Sequence, residues 1–135
     1  MKMTLEDAVD LFNSLKRFNY KGVKFNYVIA KILTELNKEL EVVRKALEPS
    51  VEYRNYEKQL RKAEQENDEK KIQQLKKKFD KVIKEREKQL EEAEKMIKET
   101  EIEIKFPKLK LQDLPSDITT NDMITLTRFE VVEDD

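Results

Sequence analysis

Two series of heptad-spaced apolar residues, mirrored across a polar break, constrain this chain more than any other feature. In the first, Ile29, Leu33, Leu36, Leu40, Val43 and Leu47 recur in steps of 4, 3, 4, 3 and 4. That spacing keeps one edge of a helix turned toward a neighbour. Pro49 interrupts the series, because a proline inside a helix removes a hydrogen bond and kinks the backbone. The pattern resumes at Tyr53, Tyr56, Leu60 and Ala63. Residues 65–70 include no apolar side chain, and Asn67 and Asp68 suit a turn or cap. The second series runs through Ile72, Leu75, Phe79, Val82, Arg86, Leu90, Ala93 and Ile97.

Folding the chain back at 67–68 sets Ala63 against Ile72, Leu60 against Leu75, Tyr56 against Phe79 and Tyr53 against Val82. Arg86, the one charge in the series, falls opposite Pro49 and Ser50. The register predicts an antiparallel helical hairpin (coiled coil) over 23–100 with its tip near 65–70. The first arm, of about 45 residues, reaches roughly 65 Å. A single dimerising rod is disfavoured by the polar tip and the mirrored pattern.

The flanking segments predict a base for this hairpin. Thr4 can cap a first helix, with Glu6 and Asp7 in its opening turn. Leu5, Ala8, Val9, Phe12 and Leu15 form its stripe, and Gly22 supplies freedom for the turn that follows. Beyond Thr100, Ile102, Ile104 and Phe106 alternate with charged residues as in a strand. Thr119 or Thr120 can cap a short helix through Met123, Ile124 and Leu126. The expected fold is therefore mainly α, a single domain over 1–135. It comprises an N-terminal helix and turn (1–22), the hairpin, and a small C-terminal strand and short-helix element (101–135) packed at the base.

Composition removes whole classes of chemistry. With no His and no Cys, the chain has no imidazole base, His triad, thiol nucleophile or disulfide. One glycine cannot build a P-loop or a dinucleotide-binding turn. Lys and Arg total 28 against 29 Asp and Glu, which excludes a globally basic or acidic protein but leaves local patches open. The longest uncharged stretch, 25–30, is too short to span a bilayer, and acids interrupt the N-terminus where a signal peptide needs an apolar run. The chain is expected in the cytoplasm, without cofactor, metal or membrane attachment.

Three clusters qualify as candidate sites. Phe18, Tyr20, Phe25 and Tyr27 gather around a turn beside Arg17, Lys16, Lys21 and Lys24. Aromatics with Arg are common interface anchors, so Phe18, Tyr20, Phe25, Tyr27 and Arg17 are the candidate protein-binding residues; the competing reading for at least Phe25 is a core role, since with Val28 and Ile32 it widens the apolar stripe at the start of the second helix. Lys77, Lys81, Lys84 and Lys88 share a helical face and form the candidate nucleic-acid stripe; the competing reading is a solvated coiled-coil flank. Glu91, Glu92 and Glu94, and the acidic end 130–135, read as ordinary solvated carboxylates and not as metal ligands or catalytic acids. Tyr53, Tyr56 and Phe79 stand at heptad positions and read as core.

Leu11-Phe12-Asn13-Ser14-Leu15, then Lys24-Phe25-Asn26-Tyr27-Val28-Ile29-Ala30-Lys31, precede the long Glu/Lys helical stretch, and Leu109-Lys110-Leu111-Gln112-Asp113-Leu114-Pro115 follows it. This order resembles a group of short uncharacterised coiled-coil proteins encoded by tailed phages and prophages. The resemblance covers most of the chain in layout. It implies a phage or prophage origin and no enzymatic activity, and it carries over no catalytic residue. The middle lacks the longer polar insertion of that group, which implies a shorter hairpin. The expected function is a non-enzymatic interaction protein presenting a hairpin surface to a protein partner, either a virion component or an inhibited host factor. A second copy of the chain, giving a homodimer, is a further expected partner. The alternative is a nucleic-acid-binding accessory protein. The corresponding locations are the host cytoplasm or the virion.

Overall fold

The computed structural model describes residues 1–133. Thr4 caps the first helix as its sequence position predicts. Its side-chain oxygen accepts a 3.1 Å hydrogen bond from the Asp7 N–H, so α1 (Leu5–Lys16) begins with Glu6 and Asp7 in its first turn. Before it runs a short strand, β1 (Lys2–Thr4). The helices α2 (Val23–Ala46), α3 (Val51–Gln65), α4 (Glu69–Lys78) and α5 (Asp80–Glu99) follow, then β2 (Glu101–Glu103), a 3-10 turn at Leu111–Asp113, and α6 (Thr120–Arg128). The chain is thus mainly helical with one two-stranded antiparallel sheet. It divides into two compact units, Met1–Val43 with the segment from Ile97 onward, and Arg44–Met96.

In the first unit β1 pairs with β2 in the register Lys2↔Glu103, Met3↔Ile102 and Thr4↔Glu101. The Met1 ammonium extends the ladder by donating to the Ile104 carbonyl at 2.9 Å. The alternation at 102–106 correctly marks extended backbone, but the regular strand stops at Glu103. Its partner β1 has no sequence signature of its own. Leu11, Leu15, Phe25, Val28, Ile32, Leu36, Leu109, Leu126 and Val131 are fully buried in the core. Each such side chain contributes about 1.5–3 kcal/mol by leaving water. Within α1 the buried line is Leu5, Ala8, Leu11 and Leu15. Val9, expected on the stripe, is 36% exposed, and Phe12 only packs at the edge. The buried line keeps Leu5, Ala8 and Leu15 and passes through Leu11 in place of Val9 and Phe12.

Helix α6 is capped by Thr119, whose hydroxyl accepts from the Asp122 N–H at 3.2 Å. It ends in a Schellman motif: Val131 N–H donates to Leu126 O at 2.9 Å and Glu130 N–H to Thr127 O at 3.1 Å, with Glu130 left-handed at φ 54°. Leu126 and Val131, the apolar pair that accompanies this motif, are both fully buried. Residues 131–133 then run beside Leu109, which donates to Val131 O at 2.9 Å. Asp134 and Asp135 of the acidic end 130–135 lie outside the described residues.

The second unit is the hairpin. Its tip uses the same termination: Asp68 N–H donates to Ala63 O at 3.0 Å and Asn67 N–H to Glu64 O at 3.1 Å, with Asn67 at φ 52°. Asp68 then caps α4 by accepting from the Lys71 N–H at 3.1 Å. Tyr56, Ala63 and Leu75 are buried between the arms, flanked by Tyr53, Leu60, Ile72, Phe79 and Ile83. The expected Tyr56–Phe79 contact is present, with ring centroids 5.4 Å apart.

Three details differ from expectation. The chain does not merely kink near Pro49: α2 stops at Ala46, and Ser50 caps a separate α3. The third helix, expected to be continuous, is divided at Phe79, whose backbone relaxes to φ −102°, ψ 19°. Past that point Ile83 replaces Val82 in the packed cluster, and the Arg86 guanidinium lies 5.7 Å from the Tyr53 ring. Leu90, expected in the seam, is 47% exposed. At that level Gln89 turns inward instead, reaching the Ala46 and Glu48 carbonyls at 3.4 Å each.

Candidate functional site

The α1–α2 junction is organised by Gly22 and by three aromatic rings. Gly22 takes φ 125°, which side chains with a Cβ rarely adopt. Asn26 reaches back from the first turn of α2 to the Tyr20 and Gly22 carbonyls at 2.9 and 2.8 Å. Phe18 and Phe25 stack at 6.2 Å, and Tyr20 stands edge-on to both at 5.7 and 5.8 Å. The Tyr20 hydroxyl donates to the Asp122 carboxylate and accepts from the Thr119 N–H at 3.1 Å. This fixes the junction to the start of α6.

The five candidate protein-binding residues therefore separate. Phe25 is 1% exposed and serves the core, the role its place on the α2 stripe suggests, so its candidacy as a contact residue is corrected. Aromatic side chains near a turn are also good core fillers, and here the core claims the ring. Phe18 and Tyr20 are half-buried against that core. Tyr27 points outward, 58% exposed, and Arg17, the last residue of α1's C-terminal cap, is exposed. Tyr27 has a neighbour that sequence reasoning passed over. Val23, one helical turn earlier on the same face, is 92% exposed. The available signal was phase: 23 and 27 fall opposite the buried line Phe25, Val28, Ile29 and Ile32.

Nearby charges are partly committed. Lys24 pairs with Asp113 at 3.1 Å. The Asp113 carboxyl is held below its usual range, first by the Lys110 backbone N–H and then by Lys24, against a desolvation effect that raises it. Lys16 lies over the Phe12 ring at 5.9 Å.

On the hairpin, Lys77 in α4 and Lys81, Lys84 and Lys88 in α5 are all exposed. The division at Phe79 preserves their common phase. Phe79 N–H still reaches Leu75 O at 2.9 Å, and Ile83 N–H reaches Phe79 O at 2.9 Å. Lys84 pairs with Asp80 at 3.0 Å. Among the described residues no group of three or more carboxylates is placed to hold a metal ion, and no helix is long and apolar enough to cross a membrane.

Comparison with protein-family models, with characterised proteins and with solved structures finds no match to this chain.

Proposed function

We propose that this chain is a non-enzymatic interaction protein of a phage or prophage, which binds a protein partner through exposed helical surface. The partner is a virion component or a host factor that binding inhibits. The observation that carries the reading is the pair Val23 and Tyr27, 92% and 58% exposed on one face of α2. Phe25, Val28 and Ile29 on the opposite face are locked into the core. An exposed aromatic beside an aliphatic on a rigid helix is a preorganised anchor, which loses little freedom on binding. Arg17 and Lys21 supply cationic neighbours in sequence, while Lys24 is paired with Asp113. The phage or prophage setting rests on the resemblance of the two short motifs around Phe12 and Tyr27.

Affinity capture from lysate of an infected host tests the reading, using the wild type and a Val23→Asp/Tyr27→Ala double variant. A partner retained by the wild type and lost by the variant, at unchanged helical circular dichroism, is expected. The same captured set for both proteins overturns it. Light scattering over a concentration series adds one distinction: mass that rises with concentration, and stays constant in the variant, makes the partner a second copy of this chain.

A further inference from the structure

We propose that the outward face of α4 and α5 binds the sugar-phosphate backbone of double-helical nucleic acid, independently of the α2 surface. The whole chain has a formal net charge of −1, yet residues 70–88 hold nine Lys and Arg against three Asp and Glu. That local excess is the electrostatic footprint of a phosphate-binding surface.

The arrangement differs from an ordinary solvated flank in one respect. Lys77, Lys81, Lys84 and Lys88 follow one another at steps of 4, 3 and 4, so each is the nearest helical neighbour of the next. Like charges at these spacings repel and weaken a helix, whereas alternating signs strengthen it. Among the described residues only Lys84 of the four has a carboxylate partner, Asp80 at 3.0 Å. Glu85 and Glu87 flank the ridge without pairing to it. Four cations spread over about 16 Å of helical rise across the end of α4 and the start of α5 match several successive phosphates, which rise about 3.4 Å each along one strand.

Two comparisons within the hairpin favour this face and this ligand. The basic side of α3 is partly neutralised, since Arg54 pairs with Glu48 at 3.7 Å and Arg61 with Glu57 at 3.8 Å. An anionic bilayer would call for apolar side chains among the cations. Leu90 is the single exposed large hydrophobic residue described on α4 or α5. A ridge of lysines without exposed aromatics also suits a duplex better than a single strand, whose bases need rings to stack on.

Fluorescence anisotropy on the full chain tests the proposal, with DNA and RNA duplexes of about 20 base pairs, a single strand of equal length, and phosphatidylserine vesicles, over about 50–200 mM salt. Duplex binding is expected with a log–log salt slope of about −3 to −4, from about 0.9 per neutralised phosphate. The Lys77→Gln/Lys81→Gln/Lys84→Gln/Lys88→Gln variant should lose about tenfold or more at low salt and most of the slope, with helicity retained. A Lys58→Gln/Lys62→Gln variant on α3 should stay within about twofold of the wild type. The difference between the DNA and RNA arms identifies the source of the duplex. Absence of duplex binding at low salt overturns the proposal. So does an unaffected quadruple variant, an equally damaging α3 variant, or tighter binding to the single strand or the vesicles.

Discussion

The Arg86 guanidinium donates a 2.7 Å hydrogen bond to the carbonyl oxygen of Leu47, thirty-nine residues away in the chain. It also holds the Gln89 side-chain oxygen at 2.7 Å, while Gln89 reaches the Ala46 and Glu48 carbonyls. The helix that stops at Ala46 leaves carbonyls without intrahelical partners, and α5 supplies donors for them. The one charge in the second heptad series thus meets the break made around Pro49, as the folded-back register predicts. Arg86→Met should lower stability by about 1–2 kcal/mol, because a half-buried carbonyl loses a charged donor. Arg86→Lys should recover part of that. Urea denaturation measures the loss, and amide exchange should localise it to the first turn of α3.

Leu11 and Val9 distinguish the true core line of α1 from the apparent one. Leu11 is fully buried and Val9 is 36% exposed. Leu11→Ala should cost about 2–5 kcal/mol, from lost transfer energy and the cavity left behind. Val9→Ala should stay within about 0.5 kcal/mol. Equal shifts in the urea midpoint would place the stripe where the sequence pattern first suggests.

Glu130 and Gly22 carry opposite consequences of one steric rule. Glu130 occupies the left-handed region at φ 54° with a side chain that disfavours it, so Glu130→Gly should raise stability by about 0.5–1 kcal/mol. At Gly22 a Cβ would meet nothing closer than the Phe25 Cβ at 3.6 Å, but φ is 125°. Gly22→Ala should therefore cost about 1–3 kcal/mol through the backbone alone. Thermal melts of both variants read the two signs.

Tyr56 gives the hairpin an alkaline limit. Burial, then Tyr53 and Glu64, push its hydroxyl above the usual tyrosine value. The folded state consequently holds this proton more tightly than the unfolded state does. The stabilisation is complete below about pH 10 and falls as pH rises from there toward the higher native value. Tyr56→Phe should remove that part of the alkaline loss. Urea midpoints for both proteins between about pH 8 and 11 measure the difference, and parallel curves would exclude Tyr56 as its source.

Local information was enough for much of this protein. Thr4, Asp68 and Thr119 carry their capping function in their own side chains, and the Asn67-Asp68 tip follows from backbone preferences within a few residues. The mirrored heptads place Tyr56 against Phe79 because helical phase persists over several turns. What the sequence left open depends on partners distant in the chain. The three residues of β1 become a strand only because 101–103 lies beside them, and Leu11 outranks Val9 because of what covers that face. Phase puts Phe25 and Tyr27 on different faces of α2, but that the Phe25 face is the covered one follows from the packing at the α1–α2 junction. Periodicity records which residues share a helix face; burial depends on which face the rest of the fold covers, and tertiary packing alone decides that.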